Sequence, residues 1–243
     1  MYESNPYESQ KLVDEYLLFH YGADEEVLPY PGGPRDALGF AVRTVTENLS
    51  PEPVGRALDV GCAVGRSSFE LSKFCDSVIG IDFSAAFIEC AARFQREGAL
   101  SYERLEEGMI TTSLTACVPE EAQPERVNFE TGDATQLRQD LGAFDIVHAA
   151  NLICRLPSPG AFLGRLPALV VGGGHLVLTT PCTWLGEFTP PENWPTGPTL
   201  EWLQAELEPA FVFETARNMP FLIRETARKF QWSVAEASVW KRH

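Results

Sequence analysis

Ala57-Leu58-Asp59-Val60-Gly61-Cys62-Ala63-Val64-Gly65-Arg66 is the stretch that decides the fold. Leu58 and Val60 suit a buried parallel strand, and Gly61 and Gly65 let the backbone turn sharply and approach a ligand. A helix starting near Ser67 then aims its free N–H groups back at the turn. A small ligand is expected there, and the spacing bears on its class. A dinucleotide turn needs glycine at its first, third and sixth positions, the middle one so that the backbone can approach a diphosphate. Counting from Gly61, the third position is Ala63 and the sixth is Arg66, which weakens the diphosphate reading. Asp59 would also repel a diphosphate, whereas it can serve a ligand with a cationic amino group, directly or through water.

Two more strand ends carry acids. Ser77-Val78-Ile79-Gly80-Ile81-Asp82-Phe83-Ser84 ends in Asp82, 21 residues after Gly61, where a carboxylate can accept hydrogen bonds from both hydroxyls of a ribose. NAD enzymes share that feature. Val127-Asn128-Phe129-Glu130-Thr131 reads as a strand followed by Gly132-Asp133-Ala134. Asp59-x-Gly61-x-Ala63-x-Gly65 resembles the first motif of class I S-adenosylmethionine (SAM) methyltransferases, with alanine in place of the middle glycine. That resemblance implies SAM as cofactor, S-adenosylhomocysteine (SAH) as its product, and Asp133 facing the adenine amino group. The expected cofactor residues are Asp59, Gly61, Cys62, Ala63, Gly65, Asp82, Phe83, Asp133, Ala134 and Ala150. The plainer alternative is glycine and aspartate at ordinary strand ends.

Working outward, 243 residues suffice for one large α/β domain. With 34 acidic against 19 basic side chains the net charge is −15, which disfavours DNA or RNA as a substrate. The apolar runs are too short to span a membrane, and the first residues do not read as a signal segment, so a soluble cytoplasmic protein is expected. The six cysteines show no C-x-x-C pair and the four histidines no ligand spacing, so no metal site is suggested.

Residues 1–8 read as loose and 9–21 as an amphipathic helix capped by Ser9 and stopped by Gly22. Tyr16, Phe19, His20 and Tyr21 on it suit either packing or a lid over a planar substrate. A Pro- and Gly-rich loop leads to a second helix over 35–49, so that 1–55 form a helical cap ahead of a core at 56–243. Residues 98–126 read as an insertion. The strand over 142–152 delivers Asn151 and Arg155 to the mouth where open α/β sheets bind ligands. After the next strand, Trp184 and Glu187 lie in a Pro-rich loop; Trp184 is either a pocket wall or a core plug. Strands over 211–215 and 233–240 complete the seven-stranded class I pattern, a Rossmann-like α/β sheet. Between them the basic, aromatic 220–232 stretch offers Arg224 and Arg228 for a substrate carboxylate, unless it is an exposed charged helix.

Several phrases outside the cofactor motifs resemble one narrower family. Tyr7-Glu8-Ser9 with residues 12–22, Pro34-Arg35-Asp36-Ala37-Leu38-Gly39-Phe40, Asn151-Leu152-Ile153-Cys154-Arg155-Leu156-Pro157, Pro181-Cys182-Thr183-Trp184-Leu185 and Pro220-Phe221-Leu222-Ile223-Arg224 are similar to the ovothiol-biosynthesis methyltransferases. Those occur alone or fused behind a sulfoxide synthase, and the length here fits the stand-alone form. The resemblance implies methyl transfer from SAM to an imidazole nitrogen of 5-thiohistidine. His20 or Glu187 would be the proton acceptor if one is needed. Arg155, Arg224 or Arg228 would grip the amino-acid carboxylate, and Tyr16, Phe19, Tyr21, Asn151 and Trp184 would contact the acceptor. A functional link to a sulfoxide synthase is a further implication. A methyltransferase for another small metabolite, a non-catalytic SAM-binding subunit and a dinucleotide oxidoreductase are the competing readings.

Overall fold

The computed structural model describes residues 6–243. In chain order the elements are α1 (Gln10–Tyr21), α2 (Asp24–Val27), α3 (Phe40–Thr46), β1 (Val54–Val60), α4 (Arg66–Leu71), β2 (Cys75–Asp82), α5 (Ala85–Glu97), β3 (Ala99–Glu107), β4 (Ile110–Cys117), β5 (Val127–Thr131), β6 (Phe144–Ala150), α6 (Pro159–Leu169), β7 (Val170–Thr180), α7 (Thr199–Leu207), β8 (Phe211–Arg224) and β9 (Phe230–Arg242). The main sheet has seven strands in the order β5-β2-β1-β6-β7-β9-β8. Strands β5, β2, β1, β6 and β7 pair in parallel, and β9 runs antiparallel to both of its neighbours, β7 and β8. This is the expected α/β sheet. The chain crosses from the β1-β2-β5 side to the β6-β7 side beside β1, so the switch point lies between β1 and β6, where such sheets bind ligands at the strands' carboxyl ends.

Alternation along β1 divides the core. Ala57 packs on one face with Val13, Leu17 and Leu18 of α1 and with Phe87 and Phe94 of α5. Leu58 and Val60 pack on the other with Phe162 and Leu166 of α6 and Leu203 and Leu207 of α7. Each buried aromatic or leucine side chain contributes about 2 kcal/mol. A third cluster, Phe40, Met219, Phe221, Ala235 and Ala237 with Phe19 and Ile223 against it, ties α1 and α3 to the β8–β9 ribbon.

Ser9 caps α1 and Gly22 ends it, as expected. The expected loose start falls on residues 1–5, outside the described residues, and on Pro6–Glu8, which form a 3-10 turn. The single helix expected over 35–49 is divided instead into a 3-10 turn at Arg35–Ala37 and α3, because Gly39 takes a left-handed φ of +62° between them. The 98–126 insertion contains a separate two-stranded hairpin, β3–β4, whose tip exposes Met109 and Ile110. The largest difference is at 220–232. These residues continue β8 and β9 as a ribbon paired as far as Arg224 with Phe230, in place of a helix. Pro220 is tolerated there because β8 is an edge strand, with no further ladder to interrupt.

Candidate active site

The turn after β1 is held by the end of β2. Gly61 and Cys62 donate their backbone N–H groups to the Ile81 carbonyl at 2.7 and 3.1 Å. Asp82 accepts from the backbone N–H of Ala63 through Oδ2 and from that of Ser84 through Oδ1, each at 2.9 Å. Gly65 must be glycine: its φ is +86°, and a Cβ there would lie 2.6 Å from Cζ of Phe129. Ala63, where the motif's usual glycine is missing, sits at φ +47°. That conformation costs an L-residue about 1–2 kcal/mol, and the bond to Asp82 offsets it. Cys62 is buried, so the turn presents its backbone, and burial pushes its thiol up. Burial pushes the Asp82 carboxyl to about 6, opposed by its two backbone donors and reinforced by Asp59 and Glu8.

Beside Asp82 the Phe83 ring is 64% exposed, an apolar surface at the strand end. Asp133 follows β5 and accepts from the backbone N–H and hydroxyl of Thr135 through Oδ1, both at 2.7 Å; Oδ2 takes no hydrogen bond from the described residues. Ala134 is buried beneath it and Ala150 is half-buried at the end of β6.

Asp59 departs from its expected contact. It is 1% exposed, with Oδ1 2.8 Å from Nδ1 of His148 and Oδ2 accepting from Ser68 at 2.7 Å. Nε2 of His148 lies 3.0 Å from the Thr44 hydroxyl. Both carboxylate oxygens therefore serve an inward network that pins β1 to β6, α4 and α3.

The N-terminal segment closes over this end of the sheet. Ser84 donates its hydroxyl to the Tyr7 carbonyl at 2.8 Å. Glu8 accepts from the backbone N–H groups of Ala85 and Ala86 at 3.0 and 3.1 Å. Ser84 caps Phe87, so the first turn of α5 has its donors occupied and offers no cradle for a phosphate. The Tyr7 phenol hydrogen-bonds to Arg155 within electrostatic reach of Asp82, and its ring packs against Tyr16 and Phe87. Tyr16 packs on Phe87 at 4.7 Å between ring centres, and burial pushes its phenol up. Phe19 meets Phe40 and Phe221.

Nδ1 of His20 is buried with no hydrogen-bond partner among the described residues, and burial together with Arg66 lowers the imidazole to about 3. It is neutral at physiological pH and a weak base. Tyr21, expected on the acceptor, instead donates its hydroxyl to the Val64 carbonyl at 2.9 Å and carries the Arg66 guanidinium over its ring. It braces the glycine turn.

On the β6–β7 side Asn151 takes a left-handed φ of +53°. Its N–H donates to the Thr179 carbonyl at 2.8 Å, and its side-chain oxygen accepts from the Thr179 hydroxyl at 3.1 Å. Arg155 donates to the Thr183 carbonyl at 3.0 Å and lies over the Phe188 ring. Trp184 is half-buried against the core: its indole N–H donates to Thr199 and its ring meets the edge of Trp202. Glu187 is exposed on the loop after β7, with no hydrogen bond or ion pair to bring it to His20.

Arg224 is the clearest correction. It is 5% exposed and donates to the Thr226 and Glu26 carbonyls and, at 2.6 Å, to the Glu106 carboxylate. These bonds lock the β3–β4 hairpin to α2 and the ribbon, which leaves no fork for a substrate. Arg228 is exposed in the β8–β9 turn. Tyr7 and Glu8 were not singled out as site residues from sequence.

Among the described residues no group of His, Cys, Asp and Glu could hold a metal ion, and no helix is long and apolar enough to cross a membrane. Residues 35–205 match the family described as a methyltransferase domain. The ubiquinone biosynthesis O-methyltransferase of Coxiella burnetii (strain RSA 493) is 27% identical over 123 residues, which is 51% of this chain and 42% of that protein. The chain thus spans less than half of this relative's length. Among solved structures, the N-methyltransferase NodS from Bradyrhizobium japonicum WM9 in complex with SAH superposes with a TM-score of 0.55 at 15% identity, over 95% of this chain and 98% of that one. The [4+2]-cyclase SpnF gives 0.52 at 17%, over 84% and 80%. One architecture therefore accompanies different reactions, and the chemistry has to be argued from the site.

Proposed function

The chain belongs to the methyltransferase-domain family, and we propose that it transfers the methyl group of SAM to an imidazole nitrogen of 5-thiohistidine, forming ovothiol A and SAH. One feature supports this reading: segments whose sequence resembles the ovothiol methyltransferases, remote from one another in the chain, contact one another. Tyr7 bonds to Arg155, Arg155 bonds to Thr183, and Phe19, Phe40 and Phe221 pack together.

In this reading Asp82 takes the ribose hydroxyls, Phe83 the adenine face and Asp133 the adenine amino group, and the carboxylates Asp82, Asp133 and Glu8 disfavour a diphosphate. SAM, when bound, supplies a methyl group on an electrophilic sulfonium. The protein's task is then to exclude water and align a neutral nitrogen lone pair, which needs no strong base. This agrees with a His20 held near pKa 3. Arg155, backed by Tyr7, is the cation for the acceptor's carboxylate, and Tyr16 and Phe19 supply the aromatic wall beside it. In this reading a sulfoxide synthase supplies the thiohistidine.

The test is mass-spectrometric. Purified protein with SAM and 5-thiohistidine should give a singly methylated product whose fragments place the methyl on nitrogen, and histidine in its place should give none. SAH binding without product would send the search to other small acceptors.

A further inference from the structure

Tyr7 ties together two parts of the mouth that are not neighbours in the sheet. Its carbonyl accepts from the Ser84 hydroxyl at 2.8 Å, and its phenol hydrogen-bonds to Arg155. Ser84 follows the end of β2, Arg155 follows the end of β6, and β1 lies between those two strands. Neighbouring strands are about 4.8 Å apart, so a residue that joins the end of β2 to the end of β6 bridges roughly 10 Å and passes over the carboxyl end of β1. That end carries the turn at residues 61–65, where Asp82 holds the Ala63 N–H. The N-terminal segment therefore lies across the entrance to the cofactor turn.

It is fastened there as a latch is. Glu8 is exposed, and its two carboxylate oxygens accept from the N–H groups of Ala85 and Ala86, the first two residues of α5, at 3.0 and 3.1 Å. These donors have no partner within the helix, and a helix N-terminus attracts a carboxylate. The next donor, Phe87, is capped by Ser84 itself. Thus α5 keeps its own cap when the segment leaves, and water can take the two donors that Glu8 releases. At the other end of the segment Ser9 fixes the start of α1: its side chain accepts from the Leu12 N–H while its backbone is extended, at φ −84° and ψ 139°. Residues 6–8 can swing at Ser9 without unwinding α1. The half-buried Tyr7 ring adds contacts with Tyr16 and Phe87, ring centres 6.2 and 5.8 Å away. A segment held by solvent-exposed hydrogen bonds opens locally, at less cost than the core beneath it.

From SAM binding at the β1 turn, whatever the acceptor, we propose that Pro6–Glu8 is a strap that must unlatch from α5 for the cofactor to enter and for SAH to leave. Phe83 stays 64% exposed beside it, so the strap crosses the turn and leaves the adenine surface open. The latch joins protein to protein and holds in the free and the loaded states alike. Weakening it therefore speeds entry and exit together and leaves the affinity nearly unchanged.

The experiment is stopped-flow measurement of SAH association and dissociation on wild type, Glu8→Ala and Glu8→Gln. Glu8→Ala should raise both rate constants at least about fivefold and change Kd by less than about twofold. Glu8→Gln, which keeps one acceptor oxygen in a side chain of the same size, should fall between wild type and Glu8→Ala. The proposal is overturned if neither variant changes the rates, an outcome that leaves the cofactor reading standing. It is equally overturned if the change falls on one rate constant alone, which would make Glu8 a ligand contact and not a latch. Failure of wild type to bind SAH would overturn the cofactor reading and the strap together.

Discussion

Over β1 and β2 the mouth is made by residues at strand ends or within three positions of them: Gly61, Ala63, Asp82, Phe83 and Asp133. Over β6 and β7 the residues proposed for the acceptor, Tyr7 and Arg155 with Thr183 beside them, come from three separate segments. In the first region a carboxylate and the turn it orders are joined by short loops, so the geometry follows from local backbone bonds. In the second, a side chain's role depends on what a distant segment lays over it. The difference is visible in two arginines. Arg155 reaches the mouth because the N-terminal turn brings Tyr7 to it, and Arg224 is withdrawn because the hairpin brings Glu106.

The largest expected effect tests the local half. Asp82→Ala should weaken SAH binding by more than a hundredfold, about 3 kcal/mol, since the carboxylate both orders Ala63 and faces the ribose. The same group sets a pH dependence. Its folded pKa of about 6 lies above the ordinary 3.8, so its contribution to stability is full below pH 4 and is lost as pH rises through 6. A ribose diol favours the charged form, which lowers the carboxyl's pKa in the complex. SAH affinity should therefore rise roughly tenfold from pH 5 to pH 7 and then level off. Asp82→Asn should flatten the profile; a flat profile in wild type would remove Asp82 from the ribose.

Arg224→Ala sharpens the contrast between the arginines. It removes the bonds to Glu106, Glu26 and Thr226, while Glu106 keeps Arg104 and Thr112, and should lower unfolding free energy by about 2 kcal/mol in a urea titration. The acceptor KM of the folded fraction should stay within about twofold of wild type. A large KM increase with unchanged stability would return Arg224 to the substrate. The smallest effect is expected from Tyr7→Phe, which removes one hydrogen bond to Arg155. The acceptor KM should rise about fivefold with SAH affinity unchanged. Equal losses for both ligands would mean that the N-terminal turn serves the two halves alike.

Legibility in the sequence followed the same division. β1, its turn and the acids after β2 and β5 were readable because strand, glycine and acid lie within a few residues and their roles are set by backbone geometry. The ribbon was not readable: Pro220 and the basic run from Arg224 to Lys229 obscured two strands that owe their length to pairing with each other. Asp59 was recognised as part of the motif, but its direction was not, because His148 and Ser68 lie far from it along the chain or across a helix turn. Trp184 and Tyr21 carried the composition of a pocket and were committed to Thr199 and Val64.

Composition and local spacing thus determined the sheet, its order of strand ends and the residues of the cofactor turn, since each depends on alternation and on φ values confined to short stretches. Which arginine is tied up by a carboxylate was decided by packing alone. A charged side chain is available to a ligand only if no partner from another segment satisfies it first, and Arg224, on the ribbon, is satisfied by Glu106 of the hairpin.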